Sequence, residues 1–149
     1  MTVVVLFAFL IPLSSSLGAP DSVSAAQLIV QIENLRNDSG NVEVFLFREN
    51  NAKSFPKKTD NASRHLTVQP THGKAEAVFD RLEPGVYAVS VNHDENSNGK
   101  LDTNWLGMPK EGVGSSNNPK IHFGPPSFEQ AQMKVKRGTT TTTIKMVYL

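Results

Sequence analysis

The chain contains no cysteine. That excludes thiol catalysis, thiolate metal centres, a disulfide framework and a lipid-modified cysteine anchor. Aromatic residues are scarce, at 7%, with one Trp and two Tyr. Neither sign of charge dominates: 15 Lys and Arg stand against 14 Asp and Glu, for a formal net charge of +1. A dedicated nucleic-acid binder would show a basic stripe, so nucleic acid is not an expected partner. Long apolar runs are also missing. The longest, residues 2–13 (TVVVLFAFLIPL), holds about a dozen residues, whereas a membrane-spanning helix needs about 20.

What is present suffices for one domain. The 149 residues are 38% hydrophobic, enough to build a core and to exclude disorder along the whole length. The apolar run at the start is followed by small residues. Val23 and Ala25 satisfy the small-residue rule of a signal-peptidase site, and Ser24 and Ala26 satisfy it one position later. Residues 1–25 therefore read as a secretory signal peptide cleaved near Ala25 or Ala26. Residues 26–149 read as a single domain exported to the periplasm or the exterior, with no membrane span in the mature chain.

Short alternating runs recur through that domain. Leu28, Val30 and Ile32 share one face, then Asn37 to Gly40 form a turn cluster. Val42 to Phe47 is apolar on both faces, and it reads as the hairpin partner of the first run. Further runs lie at His65–Val68, Lys74–Phe79, Val86–Val91, Met133–Arg137 and from Thr139 into Tyr148. The threonine run of the last segment suits a pleated face, because β-branched side chains are stiff in a helix. Glu49 to Ser63 is a polar connection, and Ser127 to Gln130 has the spacing of a capping box for one helical turn. Seven short strands and no long helix predict an all-β, seven-stranded antiparallel sandwich of Ig-like or prealbumin-like type. Its core should include Val30, Ile32, Val44, Leu46, Phe79, Tyr87, Val89 and Ile144.

Regular pattern stops between Asn92 and Pro126. A loop that long in a compact domain is usually functional or disordered. This one carries apolar anchors (Leu101, Trp105, Leu106, Met108, Val113, Ile121 and Phe123), five glycines and six asparagines, which suits an ordered, tightly turning segment. With Asp94 as position 1, Asn96 falls at 3, Asn98 at 5, Gly99 at 6, Lys100 at 7 and Asp102 at 9. This is the spacing of a calcium loop. Calcium takes six to eight hard oxygens, and alternate positions of a tight turn aim theirs inward. The candidate ligands are the side chains of Asp94, Asn96, Asn98 and Asp102 and the backbone carbonyl of Lys100. Glu95 and Ser97, between them, should point outward. Position 12 is Trp105 where an EF-hand has a bidentate Glu, so an EF-hand is rejected. Glu111 could add a carboxylate, but spacing alone does not show it. A metal-free loop, its Asp and Asn oxygens taken by backbone N–H groups, accounts for the same spacing.

The run from Tyr87 through Phe128 (YAVSVNHDENSNGKLDTNWLGMPKEGVGSSNN, then GPPSF) resembles the exported bacterial proteins of domain-of-unknown-function family 2141. The likeness extends from about Leu28 to Leu149. It implies an exported sandwich and no particular reaction. Phe79 to Val91 (FDRLEPGVYAVSV) also resembles the strand pair of prealbumin-like and carboxypeptidase-regulatory-like sandwiches. The hydroxyisourate hydrolases among the prealbumin relatives end in Tyr-Arg-Gly-Ser, and this chain ends Met146-Val-Tyr-Leu149, so that activity is not implied.

No nucleophile elbow, P-loop or dinucleotide fingerprint is present. The leading expectation is a non-catalytic binding or structural module that presents the long loop, with calcium as its possible cofactor and an unknown ligand or cell-envelope molecule as its partner. Two alternatives stand beside it. One is a hydrolase-type enzyme using His93 with Asp94 or Glu111. The other is a carbohydrate binder using Trp105 and the asparagines, although a loop Trp more often plugs the end of a core.

Overall fold

The computed structural model describes residues 25–120 and 124–149. The expected signal peptide, and the loop anchors Ile121 and Phe123, lie outside those residues apart from the cleavage positions Ala25 and Ala26. Eight strands follow in order: β1 (Ala26–Glu33), β2 (Asn41–Arg48), β3 (Arg64–Val68), β4 (Ala75–Leu82), β5 (Gly85–Asp94), β6 (Gly112–Ser115), β7 (Met133–Val135) and β8 (Gly138–Lys145). Two 3₁₀ turns, Glu49–Ser54 and Thr59–Asn61, fill the polar connection after β2. One α-helical turn, α1 (Phe128–Ala131), precedes β7. Ser127 caps it: its side chain accepts the Gln130 N–H, and the Gln130 side chain accepts the Ser127 N–H. The capping-box reading is borne out.

The strands form a two-sheet, all-β sandwich. One sheet has the order β4-β1-β8, and the other runs β3-β2-β5-β6 with β7 also paired to β5. The longest strand, β5, organises the second sheet. It pairs with β2 from Tyr87 to Asp94 along one edge, and its other edge meets β7 at Gly85–Tyr87 and β6 at Ser90–His93.

Alternation builds the core, as the period of two requires. Leu28, Val30 and Ile32 of β1 face Val42, Val44 and Leu46 of β2 across the sandwich, with Phe79, Tyr87, Val89, Ile144 and others completing one buried cluster. All eight expected core residues belong to it. The double-faced run of β2 has a separate cause. Phe45 and Phe47 turn to the outer face, where the first 3₁₀ turn and α1 cover them with Phe55, Phe128 and Ala131. The rings meet edge to face, Phe47 on Phe55 at 5.3 Å and Phe55 on Phe128 at 6.1 Å. Each phenyl group so covered contributes roughly 1.5–3 kcal/mol relative to exposure.

Three expectations need correction. The strand count is eight, because β6 lies inside the segment that has no alternating pattern; two of its four residues are glycine. The sandwich is not wholly antiparallel: β1 and β8 run parallel, from Ala26 beside Gly138 to Glu33 beside Lys145. Lastly, β1 and β2 do not form a hairpin. They lie in different sheets, and the connection from Asn34 to Gly40 carries the chain between them. Positive φ at Asn34 (64°) and Gly40 (67°) turns it. Asp38 fastens it, accepting the backbone N–H groups of His72 and Gly73 at 2.8 Å each.

Candidate functional site

Strand β5 runs on through His93 to Asp94, and there the chain enters the long loop at one end of the sandwich. Asp94 is buried, at 1% exposure. Its Oδ1 accepts the Asn98 N–H at 3.0 Å and its Oδ2 accepts the Gly99 N–H at 2.7 Å. Gly99 sits at φ 75°, where a side chain would be strained, so glycine at that position makes the bend. Asn96 Oδ1 accepts the same Asn98 N–H at 3.1 Å, and Asn98 Oδ1 accepts the Lys100 N–H at 2.9 Å. The Asn96 amide donates to Asp102 Oδ2 at 2.7 Å, and the Asn98 amide donates to both Asp102 oxygens at 3.1 and 3.2 Å. Asp94, Asn96, Asn98 and Asp102 are thus gathered in one network, with the Lys100 backbone N–H tied to it. Among the described residues no three His, Asp or Glu side chains are placed together to hold a metal, so any ion here would lean on asparagine and backbone oxygens.

Glu111 was legible only as a spare carboxylate. It is buried, and it closes the loop from behind: Oε1 accepts the Glu95 N–H and Oε2 accepts the Asp102 N–H, each at 3.0 Å. The two ends of the calcium-loop spacing are therefore held by one side chain, sixteen residues from Glu95 and nine from Asp102. Lys110 N–H adds a bond to Asp102 O at 2.9 Å.

The Glu95 side chain, expected to point outward, makes no bond to the network and is mostly covered. Arg36 reaches it through Nε to Oε2 at 3.0 Å and Nη2 to Oε1 at 2.6 Å, and the Asn37 amide donates to Oε2 at 2.6 Å. Burial on its own would raise the Glu95 pKa; the Arg36 and Asn37 hydrogen bonds outweigh it and hold the carboxyl below its ordinary value. Ser97 Oγ accepts from the Asn41 amide at 3.2 Å. These contacts fasten the loop to the β1–β2 connection.

His93 has a structural role. It is fully buried, its Nδ1 lies 2.8 Å from Tyr148 Oη, and its Nε2 lies 2.8 Å from the Ser39 carbonyl. A carbonyl only accepts, so Nε2 donates to it, and in the neutral ring Nδ1 accepts from the Tyr148 hydroxyl. Tyr148 Oη in turn accepts the Arg36 N–H at 3.1 Å, and burial raises the phenol pKa. Gly112 makes room for that ring: a Cβ there would fall 2.6 Å from it. With both ring nitrogens engaged, His93 has no lone pair left for a substrate proton, and neither nitrogen meets Asp94 or Glu111. The pairing of His93 with Asp94 or Glu111 suggested by the sequence is not formed here.

Trp105 does not plug the core, being 91% exposed. Of the other asparagines, Asn117 and Asn118 tie the turn after β6 to the carbonyls of Gln130, Gln132 and Thr143. They are occupied by the chain itself.

The family described as "Uncharacterized protein conserved in bacteria (DUF2141)" matches residues 30–143, which span both sheets and the whole loop. No curated protein and no solved structure matches the chain.

Proposed function

The chain belongs to DUF2141, a family of uncharacterized bacterial proteins, and from that premise we propose that it is an exported, non-catalytic β-sandwich module whose Asp94–Asp102 loop binds Ca²⁺. Export is supported by the apolar run at residues 2–13 and the small residues that follow it. The non-catalytic reading is supported by the engagement of His93, and among the described residues no helix is long and apolar enough to cross a membrane.

One observation carries the calcium reading. Four side chains at alternate positions, Asp94, Asn96, Asn98 and Asp102, join one network around the bend at Gly99. An ionised carboxylate offers about four lone-pair sites, and Asp94 uses one on each oxygen for a backbone N–H. Each oxygen keeps another for a cation. The Asn96 and Asn98 amides now donate to Asp102. Turning them over would bring their oxygens to the same place and free the Asp102 charge for the ion. Hard oxygen donors without nitrogen or sulfur select Ca²⁺ over zinc or copper. The ion must compete with hydrogen bonds already made and finds only two carboxylates, so the dissociation constant should be about 10⁻⁴ to 10⁻³ M.

Calorimetric titration of metal-stripped protein with millimolar Ca²⁺ tests this. Saturable heat is expected, with a melting temperature that rises by mass action, by roughly 1.4 kcal/mol of stability at ten times the dissociation constant. Asp102→Asn should remove most of that calcium-dependent shift. Absence of both heat and shift at 10 mM Ca²⁺ would show the loop to be a self-satisfied Asx scaffold.

A further inference from the structure

Beyond the calcium-loop spacing the chain forms a small, closed hairpin. Thr103 bridges to Pro109, the Asn104 N–H donates to Met108 O at 2.8 Å, and the Gly107 N–H donates to Asn104 O at 2.9 Å. Asn104 Oδ1 takes two more backbone donors, Leu106 N–H at 2.9 Å and Met108 N–H at 3.0 Å. Four backbone N–H groups, those of Asn104, Leu106, Gly107 and Met108, are thereby paired within the turn. What it presents to solvent is apolar: Trp105 is 91% exposed, Leu106 62% and Met108 44%. These are half of the large exposed apolar side chains among the described residues, and they fall within four consecutive positions. A Cβ at Gly107 would meet nothing within 4 Å, so the space beside that residue is open. Concentrated exposed apolar surface of this kind marks an interaction site.

The carboxylates near the tip are all held by hydrogen bonds, whereas the two lysines there are not ion-paired among the described residues. Asp94 and Glu111 are buried on backbone N–H groups, and Glu95 is paired with Arg36. Asp102 is engaged by the two asparagine amides. Lys100 and Lys110, which flank the hairpin, have no carboxylate within 4.0 Å among the described residues.

We propose that this hairpin tip docks on a lipid bilayer, with Trp105, Leu106 and Met108 entering the interfacial layer and Lys100 and Lys110 meeting anionic headgroups. Shape and chemistry favour a bilayer over other occupants. A tip that projects needs a medium that closes around it, and Trp settles at membrane–water interfaces because its ring is apolar and its N–H is not. A stable protein interface requires roughly 800 Å² on each side, more than three side chains on a narrow turn present. A sugar would need polar groups beside the indole, yet the adjacent Asn104 oxygen already holds two backbone N–H groups. The proposal does not depend on calcium.

The one Trp in the chain makes the test direct, since all indole fluorescence comes from Trp105. The purified protein is mixed, in chelator, with vesicles of phosphatidylcholine alone or with added phosphatidylglycerol. The expected result is an emission shift to shorter wavelength and co-flotation with vesicles, stronger on the anionic ones. Leu106→Ser, which keeps the reporter, should weaken partitioning by about tenfold or more. Lys100→Gln and Lys110→Gln should each weaken binding to anionic vesicles by about fivefold, with little effect on neutral ones. These side chains lie outside the core, so unchanged melting temperatures would show that the variants fold. No emission shift and no flotation on either vesicle overturns the proposal. So does an emission shift produced by oligosaccharides or by self-association at raised protein concentration, without lipid.

Discussion

The loop should depend on Glu111 more than on any residue of its own Asp/Asn/Gly spacing outside Asp94. Glu111→Gln preserves volume and one oxygen but turns the second acceptor into a donor. Either the Glu95 or the Asp102 N–H, now bonded at 3.0 Å to a carboxylate oxygen, would then face an NH₂ group. At 5% exposure the site admits little water to repair the loss. A hydrogen bond to a charged acceptor contributes roughly 1.5–3 kcal/mol, and an orphaned buried donor costs roughly 1–3 kcal/mol. The two figures describe overlapping losses, so about 2–3 kcal/mol is expected in total. With a urea m-value of about 1–2 kcal/mol/M, the unfolding midpoint should fall by about 1–3 M. Glu76→Gln, on an exposed position of β4, is the control and should leave it nearly unchanged. Amide hydrogen exchange localises the effect, with protection lost at Glu95 or Asp102 before the core strands open. If Glu111→Gln moves the midpoint no more than the control does, those N–H groups are hydrated in solution and Glu111 does not fasten the loop.

Two further perturbations probe the same end of the sandwich. Gly40→Ala places a methyl group 1.9 Å from the Asp94 carbonyl oxygen at a residue with φ 67°. Backbone must move on both sides, so a loss above about 3 kcal/mol is expected, and a melting curve close to wild type would refute the packing. Acid should weaken the β1–β2 connection. The Gly73 N–H, then the His72 N–H, hold the Asp38 pKa below its ordinary value, and Glu95 is lowered too once the Arg36 and Asn37 bonds offset its burial. A depressed folded-state pKa gives stability that is complete above the unfolded value and is lost as pH falls through the folded one. The urea midpoint should therefore decline below about pH 5, and Asp38→Asn should flatten that decline. An identical slope in Asp38→Asn would show that this carboxylate contributes nothing.

Sequence alone determined the local part of this protein. Alternation is a property of neighbouring residues, so Leu28-x-Val30-x-Ile32, Tyr87-x-Val89-x-Val91 and the threonine run leading to Ile144 announced strands and their buried faces without reference to partners. The Asp94–Asp102 spacing and the Ser127–Gln130 cap were legible for the same reason, since each is a set of bonds between residues a few positions apart. Tertiary structure decided which surfaces meet. Nothing in the pattern of β1 tells whether it pairs with β2 beside it or, as it does, with β4 and with β8 more than a hundred residues away. The strand β6 has no side-chain alternation to read, because glycine lets Tyr148, Ile144 and Met146 pack against its backbone. The adjacency of His93 and Asp94 suggested chemistry, but a strand sends successive side chains to opposite faces. His93 went to Tyr148 and Ser39, and the carboxylate that closes the loop came from Glu111. Such pairings are chosen by which distant segments can bury apolar area together while leaving no N–H or C=O group unpaired, and that balance exists only once the sheets are assembled.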